Sequence, residues 1–286
     1  DMNFISCILR PMNWHLLPRA TAGLLIATAA VAVVSVVAPG GLDRADDPAL
    51  VQLGLVHVLL LLLVGVVGLV VTAYSARNLV GQQRQGRYAA AETLTLLALA
   101  AVVTADSLVV LALGWTATTL SVSMLVGHAG TKHARRAARQ VRSRLLAGDA
   151  LLWAALLVAG ASTGSWTVTG VARSLDATPV VAAAVALLLA GAGIVRSALV
   201  PGHRWLTETT EAPSPVSALL HAGVVNGIGI LALVLWPILT ASTPTRVALA
   251  LAGAATVVVG TAAARTRADV KGRLVASTSS QMGYLG

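Results

Sequence analysis

Two polar side chains interrupt an apolar stretch of the sequence and are suited to carrying protons. The stretch EAPSPVSALLHAGVVNG begins at Glu211 and contains His221 and Asn226 among Ala, Val and Leu. Histidine has the unperturbed pKa nearest neutrality, so a histidine here could take up and release a proton. Glu208, Glu211 and Pro213 are typical of the start of a helix, and both glutamates could serve only to favour its dipole. The pattern predicts a helix that places His221 roughly 10–15 Å beyond its first turn.

Three further ionisable residues fall in apolar stretches, and each leaves two interpretations open. An ionisable side chain at mid-membrane costs about 2.5–3.5 kcal/mol on insertion scales, so it usually faces a bundle interior or a hydrated path. Glu92 and Asp149 lie near the predicted starts of their spans, where a position at the membrane surface is as consistent as a functional one. Arg196 follows Gly191 and Gly193, which favour the kind of broken helix that transporters place around ion sites. Alternatively, Arg196 reaches the membrane surface along its apolar stem.

Apolar helices must position these residues, and the composition predicts a membrane protein. The chain is 57% hydrophobic and 11% charged, whereas a soluble protein has about 25% charged residues. Apolar stretches of about 20 residues recur, and each is long enough to cross a hydrocarbon core of roughly 30 Å. Strand-like alternation does not repeat, so we expect an all-α polytopic bundle in contact with membrane lipid. The sequence predicts eight spans and the start of a ninth, at 20–39, 50–74, 88–104, 107–127, 146–162, 179–200, 213–239, 247–264 and from 270 to the end.

The distribution of basic residues predicts the orientation of these spans. If residues 1–19 lie inside, only three of the 20 basic residues, Arg44, Arg173 and Arg246, fall in outside loops. Lys and Arg are enriched in cytoplasmic loops. We therefore predict a cytoplasmic N-terminal segment over residues 1–19 and one transmembrane domain over residues 20–286. The abrupt end within an apolar stretch favours a piece of a longer chain.

The sequence predicts no catalytic, metal or nucleic-acid site. Cys7 is the only cysteine, which excludes an intrachain disulfide, and the P-loop and HExxH patterns are absent. The histidines are scattered, and the two nearest, His128 and His133, have the wrong spacing for one helix face. The net charge of +9 is explained by basic cytoplasmic loops. We therefore expect no cofactor in this chain and no nucleic-acid partner.

Two polar motifs interrupt the apolar stretches, HRWLTETTEAPSPVSALLHAGVVNGIG at 203–229 and DVKGRLVASTSSQMGYLG at 269–286. Both resemble the signature of the antiporter-like proton-translocating subunits of respiratory complex I and of Mrp-type sodium/proton antiporters. The resemblance covers about residues 50–286. It implies an antiporter-like fold with a glycine-broken helix and protons as the transported ion.

This resemblance assigns roles to individual residues. His221 matches the family's intramembrane histidine, and Lys271 matches the lysine of a later helix. Arg196 stands where the family has a lysine, and Thr116 stands where it has a glutamate. Because an arginine is not deprotonated in proteins, His221 becomes the best titratable candidate. The expected proton pathway comprises His221, Lys271, Arg196, Asn226, Glu211, Glu208 and Asp149.

Within that family, the likeness is greatest to the membrane subunits of DAB inorganic-carbon accumulation complexes. It is carried by EAPSPVSALLHAGVVNG, by GWTATTLS at 114–121 and by ARRAARQVRSRLLAGD at 134–149. It implies a proton-conducting subunit in the plasma (inner) membrane of a prokaryote, which couples the proton motive force to conversion of carbon dioxide to bicarbonate. The implied partner is a cytoplasmic subunit with a carbonic-anhydrase-like zinc site.

The basic segment of this chain offers a docking surface for that partner. Arg135, Arg136 and Arg139 would contact it, although a solvated cytoplasmic loop explains the same residues. Two other functions stay open. One is a subunit of complex I, of a membrane-bound hydrogenase or of an Mrp-type antiporter, and the other is a non-conducting membrane scaffold.

Overall fold

The computed structural model describes residues 14–37, 54–175, 178–240 and 242–285, with side chains up to residue 30 in the first range. Most of the predicted N-terminal segment and the loop that carries Arg44 lie outside the described residues.

Helices account for nearly all of the regular structure in the described ranges. Two short 3₁₀ helices, Thr209–Glu211 and Val224–Asn226, and one isolated bridge between Ser107 and Thr167 complete it. The α-helices are, in chain order, α1 (Leu16–Val37), α2 (Leu55–Asn78), α3 (Gln85–Thr104), α4 (Leu108–Val126), α5 (Lys132–Thr163), α6 (Val168–Ser174), α7 (Pro179–Arg196), α8 (Arg204–Glu208), α9 (Ser214–Ala222), α10 (Gly227–Val234), α11 (Trp236–Leu239), α12 (Thr243–Thr266) and α13 (Val270–Gly283).

Seven of the described segments are long and apolar enough to cross a membrane. They are α2, α3, α4, α5, α7, α12 and the combined segment Ser214–Val234, and α1 contains a shorter apolar stretch at Leu16–Ala30. Each predicted span therefore coincides with a helical segment, with α13 in the place of the ninth. The predicted all-α, multi-pass membrane bundle is confirmed.

Close pairing of helices builds the bundle around two apolar cores. The α1–α2, α3–α4, α5–α7 and α12–α13 pairs pack most extensively. Glycines allow α12 and α13 to pack closely. A Cβ atom at Gly260 would lie 2.7 Å from the Ser280 nitrogen, and one at Gly283 would lie 2.6 Å from the Gly253 carbonyl oxygen. Such close backbone approach is typical of helix packing in membranes. One core surrounds Trp205 and the other surrounds Trp115.

The basic segment is helical and continuous with the fifth span. Helix α5 begins at Lys132, well before the predicted start at residue 146, and the Thr131 side chain caps it by accepting a hydrogen bond from the Ala134 nitrogen at 3.0 Å. Asp149 consequently lies near the middle of a 32-residue helix. The helix thus extends beyond the predicted span, 146–162, on its N-terminal side.

The helix break that the sequence predicts at Gly191 and Gly193 is found in a different span. Both glycines are inside the continuous helix α7, which ends at Arg196. A Cβ atom at Gly193 would lie 2.3 Å from Ile228 Cδ1, so this glycine serves close packing against α10. The interrupted span is the one that contains His221, where Gly223 and a 3₁₀ turn separate α9 from α10.

Candidate functional site

Asp149 and Arg196 form an ion pair inside the bundle. Arg196 Nη1 lies 3.7 Å from Asp149 Oδ1, and each side chain is 3% exposed. Asp149 comes from the middle of α5, and Arg196 is the last residue of α7. The sequence left open whether these residues lie at the membrane surface. Their burial places both side chains between helices of the bundle, so Arg196 does not extend along its stem to the protein surface.

Helix α4 holds the Arg196 guanidinium in one orientation. Nη1 donates a hydrogen bond to Thr119 Oγ1 at 2.6 Å, and Nη2 donates to the Trp115 carbonyl oxygen at 3.3 Å. The Arg196 Cζ atom lies 4.6 Å from the centroid of the Trp115 ring, which adds a cation–π attraction. A planar guanidinium matches this fixed set of partners better than an ammonium group does. Arg196 is therefore a permanent, immobilised positive charge.

Asp149 is the titratable member of the pair. Neither carboxylate oxygen accepts a hydrogen bond from the described residues. An ionised carboxylate in an apolar interior is costly unless it is paired, and Arg196 supplies the pairing charge. Because the guanidinium keeps its proton, protonation of Asp149 is the change of charge that this site can undergo.

Gly227 lets the interrupted span approach the ion pair. A Cβ atom at this position would lie 2.3 Å from Arg196 Cγ and 3.1 Å from Trp115 Cη2. The next residue anchors the same contact, because the Ile228 nitrogen donates to Ser197 Oγ at 2.7 Å. The first turn of α10 is thus bonded to the end of α7, and the arrangement connects the span of His221 mechanically to Arg196.

His221 and Asn226 lie on either side of the break in that span. His221 is half-buried in the last turn of α9, and its buried Nδ1 has no hydrogen-bond partner among the described residues. Asn226 belongs to the 3₁₀ turn, and its Nδ2 donates to the Ala222 carbonyl oxygen at 3.2 Å. Within the described ranges, no hydrogen bond or ion pair joins His221 to Asp149 or Arg196. The structure therefore brings Asp149 and Arg196 together and leaves His221 apart from them.

Lys271 lies where the start of α13 packs against α8 and the 3₁₀ turn that follows it. It is exposed in the first turn of α13, and its Nζ donates to the Ala212 carbonyl oxygen at 3.0 Å and to that of Thr210 at 3.4 Å. The ammonium group thereby ties α13 to the segment that precedes α9. We refer to this end of the bundle, which also carries Arg84, His128 and Arg267, as the basic end.

The two predicted glutamates also lie at the basic end. Glu211 is exposed, and Glu208 is half-buried. In the amide orientation that satisfies both residues, the Gln140 nitrogen donates to the two carboxylate oxygens of Glu208 at 2.7 and 3.0 Å. This contact joins α8 to the basic part of α5. Neither glutamate contacts Asp149 or Arg196 through a hydrogen bond or an ion pair in the described part of the chain.

A cavity of about 330 Å³ opens between α8, α12 and α13 at the basic end, and its lining includes His203, Arg267 and Asp269. Burial lowers the pKa of His203, and the nearby Arg204 and Arg144 guanidinium groups lower it further. His203 is therefore held as the neutral imidazole at physiological pH. The polar groups in its lining make this cavity suitable for water beside the start of α13.

The three arginines predicted to bind a partner are exposed on the first turns of α5. Arg135 also donates from Nε to the Gly130 carbonyl oxygen at 2.9 Å, and Arg136 and Arg139 are exposed beside it. A rigid helix therefore presents these charges.

The partner of Arg196 was missed in the sequence because it comes from another helix. Thr116, which stands where the resembled family has a glutamate, accepts a hydrogen bond from Trp153 Nε1 at 3.0 Å and is not bonded to Arg196. The acid that faces Arg196 is Asp149. Only the GWTATTLS stretch, which supplies Trp115 and Thr119, signalled that α4 contributes to the site.

Known proteins share this arrangement of helices. In the membrane-bound sulfane sulfur reductase, an archaeal respiratory complex, one chain superposes with a TM-score of 0.82 at 20% identity, over 93% of this chain and 57% of that one. A chain of the Mrp complex from Dietzia sp. gives a TM-score of 0.82 at 28% identity, over 96% of this chain and 32% of that one.

Curated relatives point to the same group. A probable inorganic carbon transporter subunit DabB from Hydrogenovibrio crunogenus is 32% identical over 218 residues, which are 75% of this chain and 42% of the relative. NADH-quinone oxidoreductase subunit L from Mycobacterium tuberculosis is 27% identical over 288 residues, which are 95% of this chain and 46% of the relative. The chain thus spans less than half the length of these relatives. Residues 105–285 match the family described as NADH:quinone oxidoreductase/Mrp antiporter, TM, and the chain belongs to that family of antiporter-like membrane subunits.

Proposed function

We propose that this chain is part of a proton-conducting membrane subunit that couples the proton motive force to inorganic-carbon accumulation. The buried Asp149–Arg196 pair carries the proposal. It combines one acid that can change its charge with one cation that cannot, at 3% exposure and 3.7 Å separation. A buried ionisable residue of this kind is expensive in a membrane and is usually retained for transport.

The fixed arginine favours downhill conduction over pumping. An active pump of this type needs groups that change protonation in sequence, and Arg196 keeps its proton. With a permanent positive charge beside it, Asp149 returns to the ionised form after each protonation. Such a site passes protons along an existing gradient, which is the role required of a subunit that powers a partner.

Three arginines on α5 form the proposed docking surface for that partner. Arg135, Arg136 and Arg139 are exposed on a helix that is continuous with the span of Asp149. We expect a cytoplasmic subunit with a carbonic-anhydrase-like zinc site to bind there through acidic residues. The positive-inside distribution of charge supports a cytoplasmic basic end, and the similarity to the DabB subunit of Hydrogenovibrio crunogenus supports the plasma membrane of a prokaryote.

Growth of a carbonic-anhydrase-deficient host in ambient air tests the function. The complete subunit, expressed with its soluble partner, should restore growth, and an uncoupler should abolish the rescue. Asp149→Asn should also abolish it at equal expression. Rescue that persists with an uncoupler, or that Asp149→Asn leaves intact, would count against proton coupling.

Charge reversal tests the docking surface separately. Replacing Arg135, Arg136 and Arg139 by Glu should prevent co-purification of the soluble partner, because opposite charges at the surface would become like charges. Glu substitutions at the exposed Arg265 and Arg273, on other helices, supply the matched control. Co-purification that is equal in both variants would remove these arginines from the interface.

The second candidate is a redox-linked or antiporter subunit. The observation that favours this alternative is the match to subunit L of NADH-quinone oxidoreductase, which covers 95% of this chain. Co-purification with quinone-oxidoreductase or antiporter subunits, and failure to rescue growth in air, would support it. A non-conducting scaffold would instead keep full activity when His221 is replaced by Ala.

A further inference from the structure

A second acid, Glu92, is fully buried in the bundle and is not joined to the Asp149–Arg196 pair. Its exposure is 0%, and it lies in the eighth position of α3, roughly 10 Å from the start of that helix. Within the described residues, no cation lies at ion-pair distance from Glu92. Its Oε2 is buried without a hydrogen-bond partner, and its Oε1 contacts Thr72 Oγ1 at 3.0 Å.

The hydrogen-bond partners of Thr72 indicate that Glu92 carries a proton. Thr72 Oγ1 lies 2.7 Å from the Gly68 carbonyl oxygen, which can only accept, and 3.0 Å from Glu92 Oε1. A threonine hydroxyl has a single proton to donate. If that proton goes to Gly68, the second contact is a hydrogen bond only when the Glu92 carboxyl group donates to Thr72. The geometry therefore fits the neutral acid, which is also the form that a dry, unpaired site favours.

Hydroxyl groups lead from Glu92 towards the basic end. One turn away, Ser75 Oγ and Tyr88 OH lie 2.9 Å apart, at 0% and 1% exposure. The Tyr88 ring stacks edge-on against His128, with centroids 5.1 Å apart. We call Thr72, Ser75 and Tyr88 the α2–α3 polar column.

His128 stands where this column meets the surface of the basic end. It lines a small cavity together with Arg84, Arg87 and Tyr88. Burial lowers the pKa of His128, and the guanidinium groups of Arg84 and Arg87 lower it further. A neutral imidazole there can accept a proton from water and return it.

Further hydroxyl groups lie between the level of Glu92 and the ion pair. Thr95 lies one turn beyond Glu92 on α3, and its Oγ1 is 2.8 Å from Ser121 Oγ of α4. Ser121 donates to the Thr118 carbonyl oxygen at 3.2 Å, and Thr118 donates to the Trp115 carbonyl oxygen at 2.7 Å. That carbonyl also accepts from Arg196.

We propose that Glu92 is a proton-binding residue that the α2–α3 polar column supplies from the basic end. As a proton reaches Thr72 Oγ1, the hydroxyl passes its own proton to Glu92 Oε1 and keeps the arriving one. The carboxylate becomes a neutral carboxylic acid, and release reverses the step. This inference rests on the proposed proton conduction and adds a residue to it.

Proton flux and infrared spectroscopy together test this inference in the complete subunit and its complex. Glu92→Gln preserves the shape, and its amide can donate to Thr72, so the fold should be retained. Flux should fall about 100-fold or more, because a positioned proton-transfer group typically contributes about 10²–10⁴-fold. Tyr88→Phe removes the hydroxyl but keeps the ring, and it should also reduce flux. Thr93→Val, which removes a neighbouring buried hydroxyl, is the matched control and should leave flux unchanged.

The infrared spectrum reports on Glu92 whether or not protons flow. The wild-type protein should show the carbonyl-stretch band of a protonated carboxyl group, and Glu92→Gln should remove it. Wild-type flux in Glu92→Gln, or a spectrum that this substitution does not change, would overturn the inference. If the wild-type protein shows no proton flux, the proposed function is wrong. The carbonyl-stretch band would even then show whether Glu92 binds a proton.

Discussion

Removing the charge of Asp149 should destabilise the bundle, and removing both charges of the pair should not. Asp149→Asn leaves Arg196 as a buried cation at 3% exposure without its counter-charge. Breaking a buried pair on one side typically costs about 3–5 kcal/mol. Arg196 keeps its bonds to Thr119 and to the Trp115 carbonyl and its stacking on the Trp115 ring, and a desolvated cation–π contact is worth about 2 kcal/mol. We therefore expect a loss at the lower end of that range, about 3 kcal/mol.

A double-mutant cycle isolates the contribution of the pair. Replacing both residues by apolar groups of similar size, Asp149→Leu with Arg196→Met, should be close to neutral, because no unpaired charge remains. The assay is equilibrium unfolding by denaturant in detergent micelles, with equal slopes required for the four proteins. Glu211→Gln, at an exposed acid, is the control and should change stability by less than about 0.5 kcal/mol. Additive effects of the two substitutions would refute the pairing.

Three other substitutions test the surroundings of the pair. Gly227→Ala places a Cβ atom 2.3 Å from Arg196 Cγ, so it should destabilise the protein by about 1–3 kcal/mol; an unchanged unfolding midpoint would show that α10 does not press on Arg196. Arg196→Lys supplies an amine that can release a proton, so the pH dependence of proton flux should change, whereas an unaltered profile would mean that this cation does not tune conduction. Burial and the neighbouring guanidinium groups lower the pKa of His203, so the unfolded chain binds a proton there at a higher pH than the folded chain does. Stability should therefore fall as the pH drops below about 6.5, and His203→Gln should reduce that fall; equal acid sensitivity in both proteins would contradict it.

Much of the fold could be predicted from the pattern of apolar stretches. The stretch from 107 to 127 became α4 (Leu108–Val126), and that from 88 to 104 became α3 (Gln85–Thr104). The start of α5 was missed because Lys132–Arg144 is too basic to lie within a membrane, although its apolar residues pack against the bundle as a helix. Ala134, Ala137 and Val141 are buried at helical spacing, while Arg135 and Arg136 are exposed.

The sequence predicted which residues belong to the candidate site but not which of them contact each other. Asp149 and Arg196 were both expected in the proton pathway, yet their pairing depends on how α5 packs against α7. Glycines illustrate the same limit. Gly193 suggested a broken helix, but its missing side chain makes room for Ile228, while the break itself lies at Gly223. Local sequence does not distinguish a glycine that ends a helix from one that permits close packing.

Proton flux through the complete subunit is the sharpest test of proton conduction at the Asp149–Arg196 pair. Vesicles that contain the subunit and its partner, a trapped pH-sensitive dye and an imposed proton gradient give the rate of dissipation. We expect the wild type to dissipate the gradient well above the rate of empty vesicles, and Asp149→Asn to lose that excess at equal incorporation. Flux in Asp149→Asn equal to that of the wild type, or wild-type flux equal to that of empty vesicles, would contradict it.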